Sequence, residues 1–284
     1  MILIGEGLAG LPRPERSYLV CATPRSGSTL LCDGLAATGV AGRPEEYFEA
    51  RRRTGVPRSP RGYFRDYARA DELSLPEERP PGPDYSSLRE VGDYRQHLVA
   101  ALAKGTGPNG VFGAKLMWMH VKDFVILART LPELERAGLA EILAALFPGV
   151  EYVWVRRRDD VRQAVSLWRA IQTQAWRSGV GARDRHPPRY DFGAIQHLLT
   201  RMRADNEAWR AWFGEQAVSP LELAYEDIDR DLAGAVRLVI HRLGIDAADG
   251  QPPRPRMQRQ ADELSEEWVD RYRREAHEPI GRAG

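Results

Sequence analysis

The chain is poor in lysine: of its 41 basic residues only Lys104, Lys115 and Lys122 are not arginine, which fits the codon usage of a GC-rich genome. It has two cysteines, Cys21 and Cys32, with no CxxC pair and no Cys/His cluster. A structural zinc site and a disulfide framework are therefore not expected. The six histidines are scattered and show no metal-ligand spacing. No apolar run reaches the roughly 18 residues that span a bilayer. The opening residues lack the basic and apolar regions of a secretory signal, so the expected location is the cytoplasm. A net charge of +1 gives no support for a nucleic-acid partner. No internal repeat is present.

What is there suits a soluble globular protein. Apolar residues make up 43% and charged residues 29% of 284 residues, enough to bury a sizeable core. That length fits one domain or a closely joined pair. Short apolar runs at Tyr18–Ala22, Val111–Leu116, Glu151–Val155 and Leu221–Tyr225 read as strands. Helical stretches are expected over Ser28–Thr38, Asp160–Trp176, Phe192–Phe213 and Leu232–Leu243. Strands alternating with helices imply a parallel sheet covered on both faces, an α/β fold. Three long irregular loops are expected, at about residues 49–90, 178–190 and 247–262. Ligands on such sheets sit at the carboxyl ends of the strands.

The first strand leads into Ala22-Thr23-Pro24-Arg25-Ser26-Gly27-Ser28-Thr29-Leu30. A small-residue loop opening a helix presents unpaired amides to an anion. Gly27 allows close backbone approach, Ser26, Ser28 and Thr29 add hydroxyls, and Arg25 adds a guanidinium with several donors. Together they form a phosphate or sulfate cradle. It is not the Walker A loop of ATP-dependent kinases, because the loop has no lysine. The bland alternative is an ordinary helix capped by Ser and Thr.

The run Pro24-Arg25-Ser26-Gly27-Ser28-Thr29-Leu30 resembles the 5′-phosphosulfate loop of sulfotransferases that use 3′-phosphoadenosine-5′-phosphosulfate (PAPS). In particular it resembles that of the bacterial trehalose 2-sulfotransferase family. The resemblance continues in order. It takes in Thr38-Gly39-Val40-Ala41-Gly42, Pro44-x-Glu46-x-Phe48, Gly110-Val111-x-Gly113-x-Lys115-Leu116-Met117-Trp118, Gln163-Ala164-Val165-Ser166-x-Trp168-Arg169-Ala170, Arg259-Gln260-Ala261-Asp262 and the tail from Glu267 to Arg274. It implies a P-loop-like sulfotransferase fold in which residues 1–284 form one domain. It also implies PAPS as donor, its product PAP, no metal, a sugar or glycoside acceptor, and a homodimer. Kinase activity and nucleotide binding without catalysis are the alternative readings.

Site roles follow by the same resemblance. The loop from Arg25 to Leu30 would hold the 5′ end of the donor. Arg157, just after a strand, and Ser166, nine residues later, would hold the 3′-phosphate. Arg259 and Gln260 match the segment that closes over the nucleotide, and Tyr225 would reach the adenine. Glu46 matches the family's general base, with Arg25 as its cationic counterpart. On an extended segment Glu45 should point the other way. His120 is the runner-up base. The acceptor would meet Pro24, Arg43, Glu46, Tyr47, Phe48, Glu49, Tyr63, Lys115 and Trp118. Two positions depart from the family: Pro24 stands where it has a Gln that touches the disaccharide, and Arg43 where it has an acidic residue.

Overall fold

β1, Arg16–Ala22, is a strand without the alternation of a half-exposed one, and Tyr18 to Ala22 are each 0% exposed. A strand buried on both faces belongs at the centre of a parallel sheet, and it lies there. In this computed structural model, which describes residues 8, 10–49, 51–52, 60–76, 90–91, 93–176, 187–245 and 263–277, β1 pairs in parallel with strands on both sides. Tyr18 stands opposite Gly113 on one side and Glu151 on the other.

The remaining elements follow in chain order. α1 is Ser28–Ala37, β2 Arg51–Arg52, β3 Glu90–Val91, α2 Tyr94–Gly105, β4 Val111–Met117, α3 Trp118–Ala128 and α4 Leu139–Leu146. Then come β5 Glu151–Arg156, α5 Asp160–Thr173, α6 Phe192–Glu215, β6 Leu221–Ala224, α7 Tyr225–Arg230, α8 Leu232–Arg242 and α9 Glu263–His277. The main sheet has the order β4-β1-β5-β6, all parallel, and β2 pairs with β3 separately. The α/β expectation therefore holds. No described helix is long and apolar enough to cross a membrane.

The chain divides into two compact units. The first takes residues 1–57, 80–156 and 205–255 and holds the sheet. Its side chains alternate as strands require. Leu19, Cys21, Tyr152 and Trp154 point into a core shared with α2, α3, α4 and Trp209, Trp212 and Phe213 of α6. Tyr18, Val20, Val153 and Val155 point into a second core against α1 and α8. The Trp209 indole donates to the Ala22 carbonyl at 3.3 Å, anchoring the end of β1.

The second unit takes residues 58–79, 157–204 and 256–284. Its core joins Trp168 and Ile171 of α5, Leu198 and Leu199 of α6, and Trp268 and Tyr272 of α9. Phe64 and Leu73, from the segment expected to be irregular, are buried in it. That segment forms two short 3-10 turns at 60–64 and 70–72, because its few apolar residues have a core to enter. α5 and α9 are also tied by charge. Asp159 caps α5 by accepting from the Arg162 amide at 3.0 Å, and Arg273 of α9 donates to it at 2.9 Å. Burial opposes the charge on Asp159, but the Arg162 amide and the Arg273 and Arg162 guanidiniums hold its carboxyl below the usual carboxylate range.

α5 stops at Thr173 rather than Trp176, because Gln174 turns left-handed at φ 55. β6 ends one residue before Tyr225, which opens α7. The block ending at Gly42 has a steric reason. Gly42 has φ +63, and a Cβ there would lie 2.5 Å from the carbonyl oxygens of both Gly105 and Val111. Backbone cannot swing aside as a side chain can. Gly42→Ala should therefore destabilise the fold by roughly 2–4 kcal/mol, read as a lower denaturant midpoint at unchanged slope.

Candidate active site

The loop after β1 is built from buried polar residues. Thr23 and Ser26 are 0% and Ser28 2% exposed. Arg25 is held at φ 63 and Gly27, the residue before α1, at φ 85. No side chain caps α1, so its first-turn amides are left to a ligand or solvent. The Ser26 hydroxyl is buried and finds no hydrogen-bond partner among the described residues. A Cβ on Gly27 would come within 2.5 Å of the Tyr225 ring, so that ring lies against the loop. Uncapped amides, an orphaned buried hydroxyl and a guanidinium on one turn fit an anion with several acceptor oxygens, such as a phosphate or phosphosulfate.

The segment after α1 runs beside β4. Glu45 forms a bridge with Ala114, and its carbonyl accepts from the Lys115 amide at 2.9 Å. The segment is extended there, and neighbouring side chains diverge. The Glu45 carboxylate pairs with the surface Lys104 at 2.7 Å, whereas Glu46 Oε1 lies 2.7 Å from Lys115 Nζ. Lys115 is 4% exposed. An ammonium so deep is costly unless paired, and besides Glu46 it donates to Thr29 Oγ1 of α1 at 3.0 Å. The register that sets Lys115 opposite Val20 in β1 puts its head beside Thr29, just after the loop that follows β1.

Glu46, Glu49, Lys115 and His120 line one shallow hollow with Phe48, Leu116 and Met117. One ligand-type atom from each of Glu46, Glu49 and His120 lies within 4.8 Å of the others. That spacing suits a divalent cation, but the chain places its own cation, Lys115, on Glu46. The arrangement ties the Glu46 carboxylate and Thr29, in the first turn of α1, to one buried ammonium.

The other expected residues fall in different places. Tyr47 and Phe48 are 4% and 2% exposed. The Tyr47 hydroxyl donates to the Arg43 carbonyl at 2.7 Å, and Phe48 packs on Phe124 and Phe147. Burial pushes the Tyr47 hydroxyl well above its ordinary value. Both rings thus build core, though Phe48 also edges the hollow. Pro24 is buried and Arg43 exposed. Trp118 is half-buried, edge-on to Trp209 at 4.9 Å.

In the second unit Arg157 and Ser166 are both half-buried. Tyr63 stacks on Trp176 at 5.9 Å. Arg259 and Gln260 lie outside the described residues. The sequence reading missed the tie from Lys115 to both Glu46 and Thr29. A signal for it existed, a lysine inside the apolar strand Val111-Phe112-Gly113-Ala114-Lys115-Leu116-Met117.

Known proteins resemble this chain over most of its length. The trehalose 2-sulfotransferase of Mycolicibacterium smegmatis is 40% identical over 262 residues, covering 92% of this chain and 95% of that protein. That of Mycobacterium tuberculosis is 40% identical over 267 residues, covering 94% and 97%. Among solved structures, a sulfotransferase from Mycobacterium avium aligns with 94% of this chain and 69% of its own length, at 14% identity and a TM-score of 0.43. One from Alicyclobacillus acidocaldarius covers 95% and 98%, at 14% identity and a TM-score of 0.41. The family model of the Stf0 sulphotransferases matches residues 17–275, from β1 into α9, and the chain belongs to that family.

Proposed function

We propose that this protein transfers a sulfuryl group from PAPS to a hydroxyl of a small sugar or glycoside, with Glu46 as general base. The observation that carries the reading is the buried Lys115, bonded at once to Glu46 and to Thr29 at the donor loop. PAPS supplies the sulfuryl group in a mixed anhydride that needs no covalent activation by the protein. The chain's work is positioning, charge stabilisation and proton removal. Arg25, Ser26, Gly27, Ser28, Thr29 and Leu30 hold the 5′ end, with Arg25 and the loop amides facing the charge that grows on the leaving oxygens. Arg157, Ser166, Arg259 and Gln260 hold the 3′ end, and Tyr225 meets the adenine. Glu46 takes the proton of the acceptor hydroxyl.

The family match runs through both units, which supports reading them as one sulfotransferase domain. Cytoplasmic location and a homodimer belong to the same reading and rest on the sequence and its resemblance. The curated relatives are named for trehalose. Here Pro24 offers no side-chain hydrogen bond, and Arg43 reverses the charge the family has at that place. The first removes a bond to a sugar hydroxyl and so disfavours trehalose, and the second favours a glycoside carrying an acid over a neutral disaccharide.

The test is transfer from ³⁵S-labelled PAPS to a panel of neutral and acidic glycosides. A labelled glycoside should form, with trehalose a poor acceptor, and the rate should survive EDTA. Loss of activity in EDTA with recovery in Mg²⁺ would favour the kinase alternative. PAP binding with no sulfated product from any acceptor would favour a protein that only binds nucleotide.

A further inference from the structure

Lys115 has two claims on one charge. It is buried, its Nζ is 2.7 Å from Glu46 and 3.0 Å from Thr29, and Thr29 lies in the first turn of the helix that follows the anion-binding loop. A carboxylate salt-bonded to an ammonium stays ionised but is a weak proton acceptor, because the neighbouring positive charge favours its charged form. As Glu46 is set in this chain, it is held as a carboxylate and also restrained as a base. An anion arriving at the loop meets the same ammonium.

We propose that Lys115 is shared between Glu46 and the sulfuryl oxygens of the donor, so that donor binding draws the ammonium away and releases Glu46 to act as base. The inference rests on the function proposed above for its donor and its base. The arrangement makes the base competent only when the donor is in place. Lys115 from β4, His120 from α3 and Glu49 from its own segment face Glu46. Glu45 is turned to Lys104 and takes no part.

Linkage gives the consequence. If the donor weakens the hold of Lys115 on Glu46, then neutralising Glu46 must tighten the donor by the same factor. A residue that served only as base would leave donor affinity alone. A carboxylate that repelled the donor directly would act on it without Lys115.

A double-mutant cycle on PAPS affinity separates these cases, measured by calorimetry with no acceptor present. At about pH 8, Glu46→Gln should tighten PAPS about tenfold, within the ordinary span of coupling between two sites. The same substitution in a Lys115→Met background should leave PAPS affinity unchanged. Lowering the pH should bring wild type toward the Glu46→Gln affinity, and using one ligand for both proteins cancels the titration of the donor itself. Melting curves check that each variant folds, and Lys115→Gln replaces Lys115→Met if the latter does not. A Glu46→Gln protein that binds PAPS no more tightly than wild type overturns the inference. So does tightening that persists without Lys115. Wild type that fails to bind PAPS at any pH overturns the donor reading itself, and the inference with it.

Discussion

Glu46→Gln should lower kcat by roughly 10²–10⁴-fold, the usual contribution of a positioned base, while PAP binding stays near wild type. The substitution keeps size and one hydrogen-bonding oxygen and removes the charge and the proton-accepting capacity. Its neighbours supply the controls. Glu45→Gln breaks only an exposed pair with Lys104, and such pairs contribute about 0–1 kcal/mol, so turnover should hold. His120 is 5% exposed and lines the same hollow, so His120→Ala should cost packing stability but leave kcat within a few-fold of wild type. The rates are to be measured at saturating labelled PAPS with the acceptor that the glycoside panel identifies. If Glu46→Gln keeps most of its turnover while His120→Ala loses it, His120 is the base, and Glu46 serves to hold Lys115.

The elements on either side of the loop after β1 were legible because their local signals agree. From Tyr18 to Ala22 β1 is an unbroken apolar run, and it is followed by a turn of Pro, Gly and Ser, which is how a fully buried parallel strand entering a helix reads. β5 is likewise an apolar run that feeds a helix, through Arg157, Arg158 and the capping Asp159. α2 was not legible. Its buried face includes Tyr94 and His97 beside Leu98, Ala101 and Leu102, which blurs the apolar stripe. The role of 60–76 in the second core was hidden for a related reason. Phe64 and Leu73, with Tyr63, Tyr67 and Leu75 nearby, follow no helical or strand period, and only the helices they meet make them core.

In the site, the opposed directions of Glu45 and Glu46 follow from the period of an extended chain and could be read in advance. Tyr47 and Phe48 could not, because the chain turns at those two residues and the alternation ends. An aromatic beside a base is equally suited to stack on a sugar or to fill a core. The tie from Lys115 to Thr29 joins residues 86 apart. The pairing of β1 with β4 decides it, and no local pattern reports that.

Arg157→Ala should remove most of the stabilisation that PAP gives the fold. A ligand that binds only the folded state stabilises it by RT ln(1 + [L]/Kd), about 2.7 kcal/mol at 100 times Kd. Arg157 directly follows β5 and is half-buried, where a guanidinium can present paired donors to a dianionic phosphate without full exposure to water. Losing a charge-assisted contact of that kind costs about 1.5–3 kcal/mol, or roughly 10- to 150-fold in affinity. At the same PAP concentration, a hundredfold weaker site leaves only about 0.4 kcal/mol of stabilisation. The turn that carries Arg157 should survive the change, because Asp159 stays fixed by Arg162 and Arg273. Without ligand, the variant should therefore melt close to wild type. Arg158, the next residue, is exposed, and Arg158→Ala should keep the full PAP shift, which separates a specific contact from the loss of one positive charge in the neighbourhood. Thermal melting of the three proteins with and without PAP reads this directly. An Arg157→Ala shift equal to that of wild type would place the 3′-phosphate elsewhere in the fold.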